Sequence, residues 1–427
     1  MTDGDGKYLT HFTKPEKKDE EPEEKQWDDE ELLANLDKLP AEKVADLIVE
    51  WLKNYDVDKT LAKIGGDSTN SNTGWKGGII AWIEKKIGRK LHWIICQVHT
   101  NELGLRELIK KTDGDTDSKT GFKGPLGKML KKVNDMKVAS SFPAVSIGPD
   151  LISLPPDIVK NLSSDANLSY LRCHAVRSGV LPRDVALRKT GKIVHCRWLT
   201  TGSTFLDMYM KEHGLEGELL DRLNTIVIYL VTVYFPMFFR IKVMHSYLEG
   251  PRHVLYELQL FRLQSTDIQK LLEATLRRSA WNAHSESVLL TMVCSDNKEE
   301  REFAVNTILA IRDGREEGDL KPRGRKNPEL NLMATSLQDL ISWTAAKEPV
   351  ETCKLAILQL QELKLAPLKV EYAPVHTQGI ERAVKEVTEA SNSVYGFERR
   401  DGFIRARAEN RELMPIFSTK KDLVSIV

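Results

Sequence analysis

The sequence predicts an α/β layer interrupted by a large all-helical body, with the last helices of the layer supplied by the C-terminus. Three observations predict it. Strand-like and helix-like runs alternate between residues 7 and 96. After Cys96 the apolar residues recur at helical spacing through about residue 365. A further helix-like stretch then follows Pro374.

The elements follow in chain order. Tyr8–Phe12 is a short β-prone run, and residues 14–31 form a Lys/Glu/Asp/Pro tract that reads as a solvated loop. Val44, Leu47, Ile48, Trp51 and Leu52 fall at helical spacing within Ala41–Tyr55. Thr60–Gly66 reads as a strand ending at Asp67, Asp67–Gly78 as a polar loop, Ile79–Ile87 as a helix and Leu91–Cys96 as a strand. Beyond Cys96, loops break the helical pattern at Thr112–Pro125, Phe142–Pro156 and Asp313–Pro328, the last being the clearest linker. The helix-like stretch near Gln378–Ser391 precedes an Arg-rich segment, Glu398–Arg411. The domain reading is therefore an acidic segment 1–40, a core part 41–96, a helical insertion 97–365 carrying the linker 313–328, and a C-terminal core part 366–427.

Net charge is zero over 427 residues, so the whole chain has no strong basic footprint. The charge is uneven: residues 1–60 hold 18 acids against nine lysines, a net of −9, which leaves +9 for the rest. Five cysteines with no signal-like N-terminus point to free thiols in a reducing compartment, nuclear or cytoplasmic, with nuclear favoured if DNA is bound. The uncharged run Leu223–Phe239 contains Pro236 and is short for a membrane span, so a buried helix or strand is expected.

Four short blocks stand out in order. They are Gly66-Asp67-Ser68-Thr69-Asn70, then Cys96-Gln97-Val98-His99 after a strand, then Cys196-Arg197-Trp198-Leu199-Thr200, then His376-Thr377-Gln378-Gly379-Ile380-Glu381-Arg382. Together they resemble successive signatures of hAT-type DNA transposases, over about residues 7–423. The wording around Trp93–Leu108 and His376–Ser391 is also similar to a group of uncharacterised, transposon-related invertebrate proteins.

The resemblance implies an RNase H-like core split by an all-helical insertion. It implies metal-assisted strand transfer, in which two divalent ions, usually Mg²⁺, are held by three converging carboxylates. Asp67 matches the second carboxylate and Glu381 the third. The first belongs on an opening strand that this chain is expected to lack, since it reads as starting near the third strand of the fold. Asp3 and Asp5 are acidic but lie in a Gly/Asp segment. No zinc-finger docking module is expected.

Each residue also has a plainer reading. Asp67 serves equally as the cap of a polar turn, and Glu381 as a charge on a solvated helix face paired with Arg382 or Lys385. Cys96 and His99 carry half of a zinc-like spacing with no second pair after them, so zinc is not expected and packing between core and insertion is. Trp198, beside Arg197, could stack on an extruded base; the apolar Phe205, Leu206 and Met208 that follow favour core packing. Arg382 and Arg405 are candidate phosphate contacts, though Arg399, Arg400, Arg405, Arg407 and Arg411 alternate with acids.

The leading expectation is a transposase-derived DNA-binding protein with an incomplete cutting site. The alternatives are a scaffold for protein partners or self-association on the inherited fold, and a metal-dependent nuclease or strand transferase whose first acid comes from elsewhere. No membrane association is expected.

Overall fold

Val44, Ala45, Ile48, Val49 and Leu52 recur on one face of helix α1, Ala41–Asn54, and all are buried. The computed structural model describes residues 40–54, 57–117, 121–191, 198–312, 329–343 and 367–368. The α1 face packs on Ile79, Ile80 and Ile83 of a helix at Ile79–Ile87. Two strands lie beside this helix pair, β1 at Lys63–Gly66 and β2 at His92–Ile95. They pair in parallel, with Lys63 opposite His92 and Gly66 opposite Ile95. A short helix, α2 at Asn70–Thr73, and the Ile79–Ile87 helix, α3, make the crossover that a parallel pair requires.

Two side chains fix this connection. Glu84 is buried and accepts from Leu91 N and Trp93 Nε1, each at 2.9 Å, and from Lys90 Nζ at 2.6 Å. The carboxylate thus pins the first turn of β2 to α3. Arg89 donates to the carbonyls of Asp58 and Leu61 and so holds the segment before β1. Gly88 ends α3 at φ 73°, in the left-handed region where a glycine has no Cβ to clash.

Strand β2 is buried on both faces and its side chains divide by parity. Trp93 and Ile95 join the α1–α3 core, whereas Ile94 and Cys96 join the core of the helical body. The sheet is thus sandwiched between the helix pair and the body. The chain leaves β2 directly into α4, Gln97–Thr112.

The rest is mostly helical. The chief elements are α5 Pro125–Met129, α6 Pro156–Asn161, α7 Ser164–Ser178, α8 Arg183–Ala186, α9 Trp198–Tyr209, α10 Gly217–Tyr229, α11 Phe235–Val243, α12 Gly250–Arg262, α13 Thr266–Ser279, α14 Ser285–Val293 and α15 Lys298–Arg312. Helix α7 packs on α9, and α4 on α13. A π turn at Leu230–Tyr234 joins α10 to α11. Pro236 has no N–H to donate and sits at the start of α11, where the widened turn accommodates it. The joined helix, Gly217–Val243, is long and apolar enough to cross a membrane by length and composition, but 78% of its most apolar window is buried inside the protein. The uncharged run Leu223–Phe239 is therefore a core helix, as its proline and length suggest.

The expectation of an α/β mix with a dominant helical region holds. The parallel pair 63–66 and 92–95 lies within the expected strands. The expected loop Asp67–Gly78 is corrected in part, since Asn70–Thr73 forms one helical turn. Beyond residue 100 the described strands are two-residue pieces, Thr116–Asp117 with Gly121–Phe122, besides isolated bridges at Val138–Lys211 and Leu330–Ile341. The Tyr8–Phe12 strand, the acidic tract, the 313–328 linker and the 378–391 helix fall outside the described residues.

Candidate functional site

Asp67 follows β1 at the carboxyl end of the parallel pair, the edge where open α/β sheets place their ligands. Its Oδ1 accepts three hydrogen bonds: from Thr69 N at 2.9 Å, Thr69 Oγ1 at 2.6 Å and Asn72 Nδ2 at 2.9 Å. This is the cap of a polar turn, an Asx turn that leads into α2, whose N-cap is Thr69. Gly78 closes the same loop. A Cβ there would lie 2.5 Å from Gly74 N, so only glycine lets the two backbone segments meet.

The neighbouring strand end carries Cys96 and Gln97. Cys96 is buried, and its N–H donates to Gly66 O at 2.8 Å, extending the β1–β2 ladder by one bond. Gln97 is wholly buried; its Oε1 accepts from Asn282 Nδ2, which also donates to Ile95 O at 3.3 Å. The Gln97 Nε2 has no acceptor among the described residues. Trp281, next to Asn282, stacks on Trp93 with ring centroids 6.2 Å apart. His99 lies on the first turn of α4, half-buried. Cys96, Gln97 and Asn282 join the sheet to the body.

The carboxylate set that the transposase resemblance implies is not brought together among the described residues. They contain no group of three or more His, Cys, Asp or Glu side chains able to share an ion. Glu381 lies outside them, as do Arg197, Arg382 and Arg405.

Trp198 is 5% exposed and meets Phe122 edge-on at 6.3 Å. Of the two readings given to Trp198, base stacking is the one this burial contradicts, because a ring enclosed by its own fold offers no face to a base. Phe205, Leu206 and Met208 are buried on the same helix.

Two features escaped the sequence reading. One is a buried ionic cluster. Arg172, 1% exposed, meets Asp207 Oδ2 at 2.9 Å and donates to Thr190 Oγ1 at 2.6 Å and Arg188 O at 3.0 Å. Lys211 Nζ stands 3.7 Å from the same Asp207 oxygen and donates to Val133 O at 3.1 Å. Burial disfavours both ions, pushing Asp207 above the ordinary carboxylate range and Arg172 below that of a guanidinium. Nothing in the sequence brings positions 172, 190 and 207 together, since each reads as a surface polar residue.

The other is a lysine-rich strap. Leu126, Gly127, Leu130 and Val133 are buried along α5 and the 3-10 helix Leu130–Asp135, while Lys128, Lys131 and Lys132 are exposed. Asp113 holds the strap in place by accepting from Leu126 N at 2.9 Å and Gly127 N at 2.8 Å. The run GFKGPLGKMLKK, residues 121–132, carries its own signal: lysines at 3- and 4-residue spacing opposite apolar positions.

Compared with protein-family models, curated proteins and solved structures, the chain matches none.

Proposed function

We propose that this chain is a transposase-derived DNA-binding protein, built on an RNase H-like core with a helical insertion, and that Asp67 works in it as a structural cap. One observation supports the reading: described residues of three of the four sequence blocks lie at a strand end, at the passage from sheet to body, and in a helix of the body. Asp67 ends a strand of a parallel pair, Cys96–His99 spans the passage from sheet to body, and Trp198 opens a helix inside the body. The saturated Oδ1 of Asp67 supports a capping role over metal binding.

The test has two arms. Purified full-length chain incubated with supercoiled DNA and Mg²⁺ or Mn²⁺ leaves the DNA uncut, beside an Asp67→Ala control. A labelled duplex is bound, with affinity that falls steeply as salt rises. Cleavage that the control abolishes would return Asp67 to a catalytic role. Absence of salt-dependent binding would remove the DNA reading and favour a scaffold for protein partners.

A further inference from the structure

We infer that the lysine strap of α5 and the following 3-10 helix, together with Lys189, is the surface on which a duplex phosphate backbone lies. The inference rests on the DNA-binding reading and gives it an address.

The strap presents one chemical face. Its buried side is fixed by Leu126, Leu130 and Val133, so Lys128, Lys131 and Lys132 must project outward together. Lys128 and Lys131 are three residues apart, which places them as neighbours along a helical face. Asn134 and the backbone of Thr190 exchange two hydrogen bonds, at 3.1 and 3.0 Å, and so bring exposed Lys189 alongside. Among the described residues none of these four lysines forms an ion pair. Two acids belong to the strap: Asp135 lies on it, and Asp113 is buried beneath it with its carboxylate taken up by Leu126 N and Gly127 N.

Size and charge point to a polyanion of regular spacing. The basic positions Lys128 to Lys132 cover roughly 7 Å of rod at helical and 3-10 rises. Duplex DNA offers one negative charge per ~1.7 Å of axis, so several phosphates face such a rod at once. Lysine ammonium groups bind phosphates as mobile point charges and carry no base-reading geometry, so the contact is sequence-independent. The rigid seat matters as well: Asp113, Asn134 and the buried Lys211–Val133 bond hold the strap's backbone before any ligand arrives.

The experiment measures binding of a fluorescent 20-base-pair duplex to the full chain at several salt concentrations. The strap variant is Lys128→Glu, Lys131→Glu, Lys132→Glu, and the control reverses three exposed lysines elsewhere, Lys53→Glu, Lys59→Glu, Lys270→Glu. Both change net charge equally. The strap variant weakens binding by about tenfold or more and lowers the salt slope by about 2–3, near 0.9 for each phosphate no longer neutralised, while the control stays within about threefold. A neutral strap variant, with glutamine at the same three positions, shows the slope change without added repulsion and serves if the reversed variant folds poorly. Equal losses in strap and control variants overturn the inference in favour of net charge. Binding that neither variant alters overturns it while leaving the DNA reading intact. A wild type that fails to bind duplex removes both. Binding to anionic phospholipid vesicles that the strap variant abolishes, with DNA binding unchanged, assigns the face to a membrane surface and overturns it.

Discussion

The α/β layer and the helical body bury their interiors in different ways. The layer's core is small and local, drawn from Val44 to Ile95 and mostly aliphatic around Trp93, with Trp281 packed against it. The body's core gathers residues from Ile94 to Leu368, stacks Tyr234, Phe235, Phe238 and Phe239 along one helix, and encloses the Arg172–Asp207–Lys211 cluster. A core made of near neighbours needs few long loops closed before its contacts form, whereas a core made of distant segments must close them first. Polar groups follow the same division. In the layer a single buried carboxylate, Glu84, ties adjacent elements, while in the body buried ions tie segments far apart in sequence.

The largest effect expected is in the body. Asp207→Ala leaves Arg172 buried without its carboxylate and costs about 3–5 kcal/mol in chemical denaturation. The triple replacement Arg172→Met, Asp207→Leu and Lys211→Met recovers most of that loss, because removing all three buried ions removes their desolvation cost. If the single change costs under about 1 kcal/mol, the two regions do not differ in the way argued.

A cavity in the layer comes next. Leu52 is wholly buried in the smaller core, and Leu52→Ala is expected to cost about 2–5 kcal/mol. Hydrogen exchange should show the loss concentrated in α1, α3 and the β1–β2 pair, with amides of α10 and α11 keeping their protection. Uniform loss across both regions would show that they unfold as one unit.

The third expectation concerns pH. Burial lifts Glu257 of α12 from its ordinary 4.5 to about 7. The folded state therefore holds a proton that the unfolded state releases, so the stability linked to Glu257 is complete below about pH 4.5 and is lost as pH rises through 7. His253 on the same helix acts with the opposite sign: burial lowers it to about 4, so its contribution is complete above 6.5 and is lost as pH falls. The difference between wild type and Glu257→Gln isolates the carboxyl. It should change by on the order of 2–3 kcal/mol between pH 5 and 8, with the glutamine variant gaining as pH rises. A pH-independent difference would refute the assignment.

The smallest effect is at the candidate site. Asp67→Ala removes the acceptor for three hydrogen bonds on a half-buried turn and should cost about 1 kcal/mol, the usual net worth of a protein hydrogen bond to a group that water then reaches. Asp67→Asn keeps an acceptor oxygen and should cost less. A stability gain on removing the carboxylate would suggest instead that Asp67 is held for another purpose, since strained or repelled charges are a mark of working sites.

The sequence by itself determined the layer and the helical character of the body. Helix α3 spans Ile79–Ile87 as its periodicity predicts, and both parallel strands lie inside the runs read as strands. Such elements rest on apolar spacing and on the glycines that end them, which are local properties of the chain. The sequence also indicated that Asp67 could be a turn cap and Trp198 a core residue, because their neighbours carry those signals. Only the tertiary structure gives the surroundings of each. It showed Asp67 Oδ1 engaged by Thr69 and Asn72, and Trp198 closed against Phe122, 76 positions earlier in the chain. It alone placed Arg172 on Asp207, and Gln97 on Asn282 at a separation of 185 residues. The physical reason is distance along the chain. Backbone periodicity is written within a dozen residues, but the partner of a buried polar group is set by which surfaces meet after the helices pack, and no local pattern records that meeting.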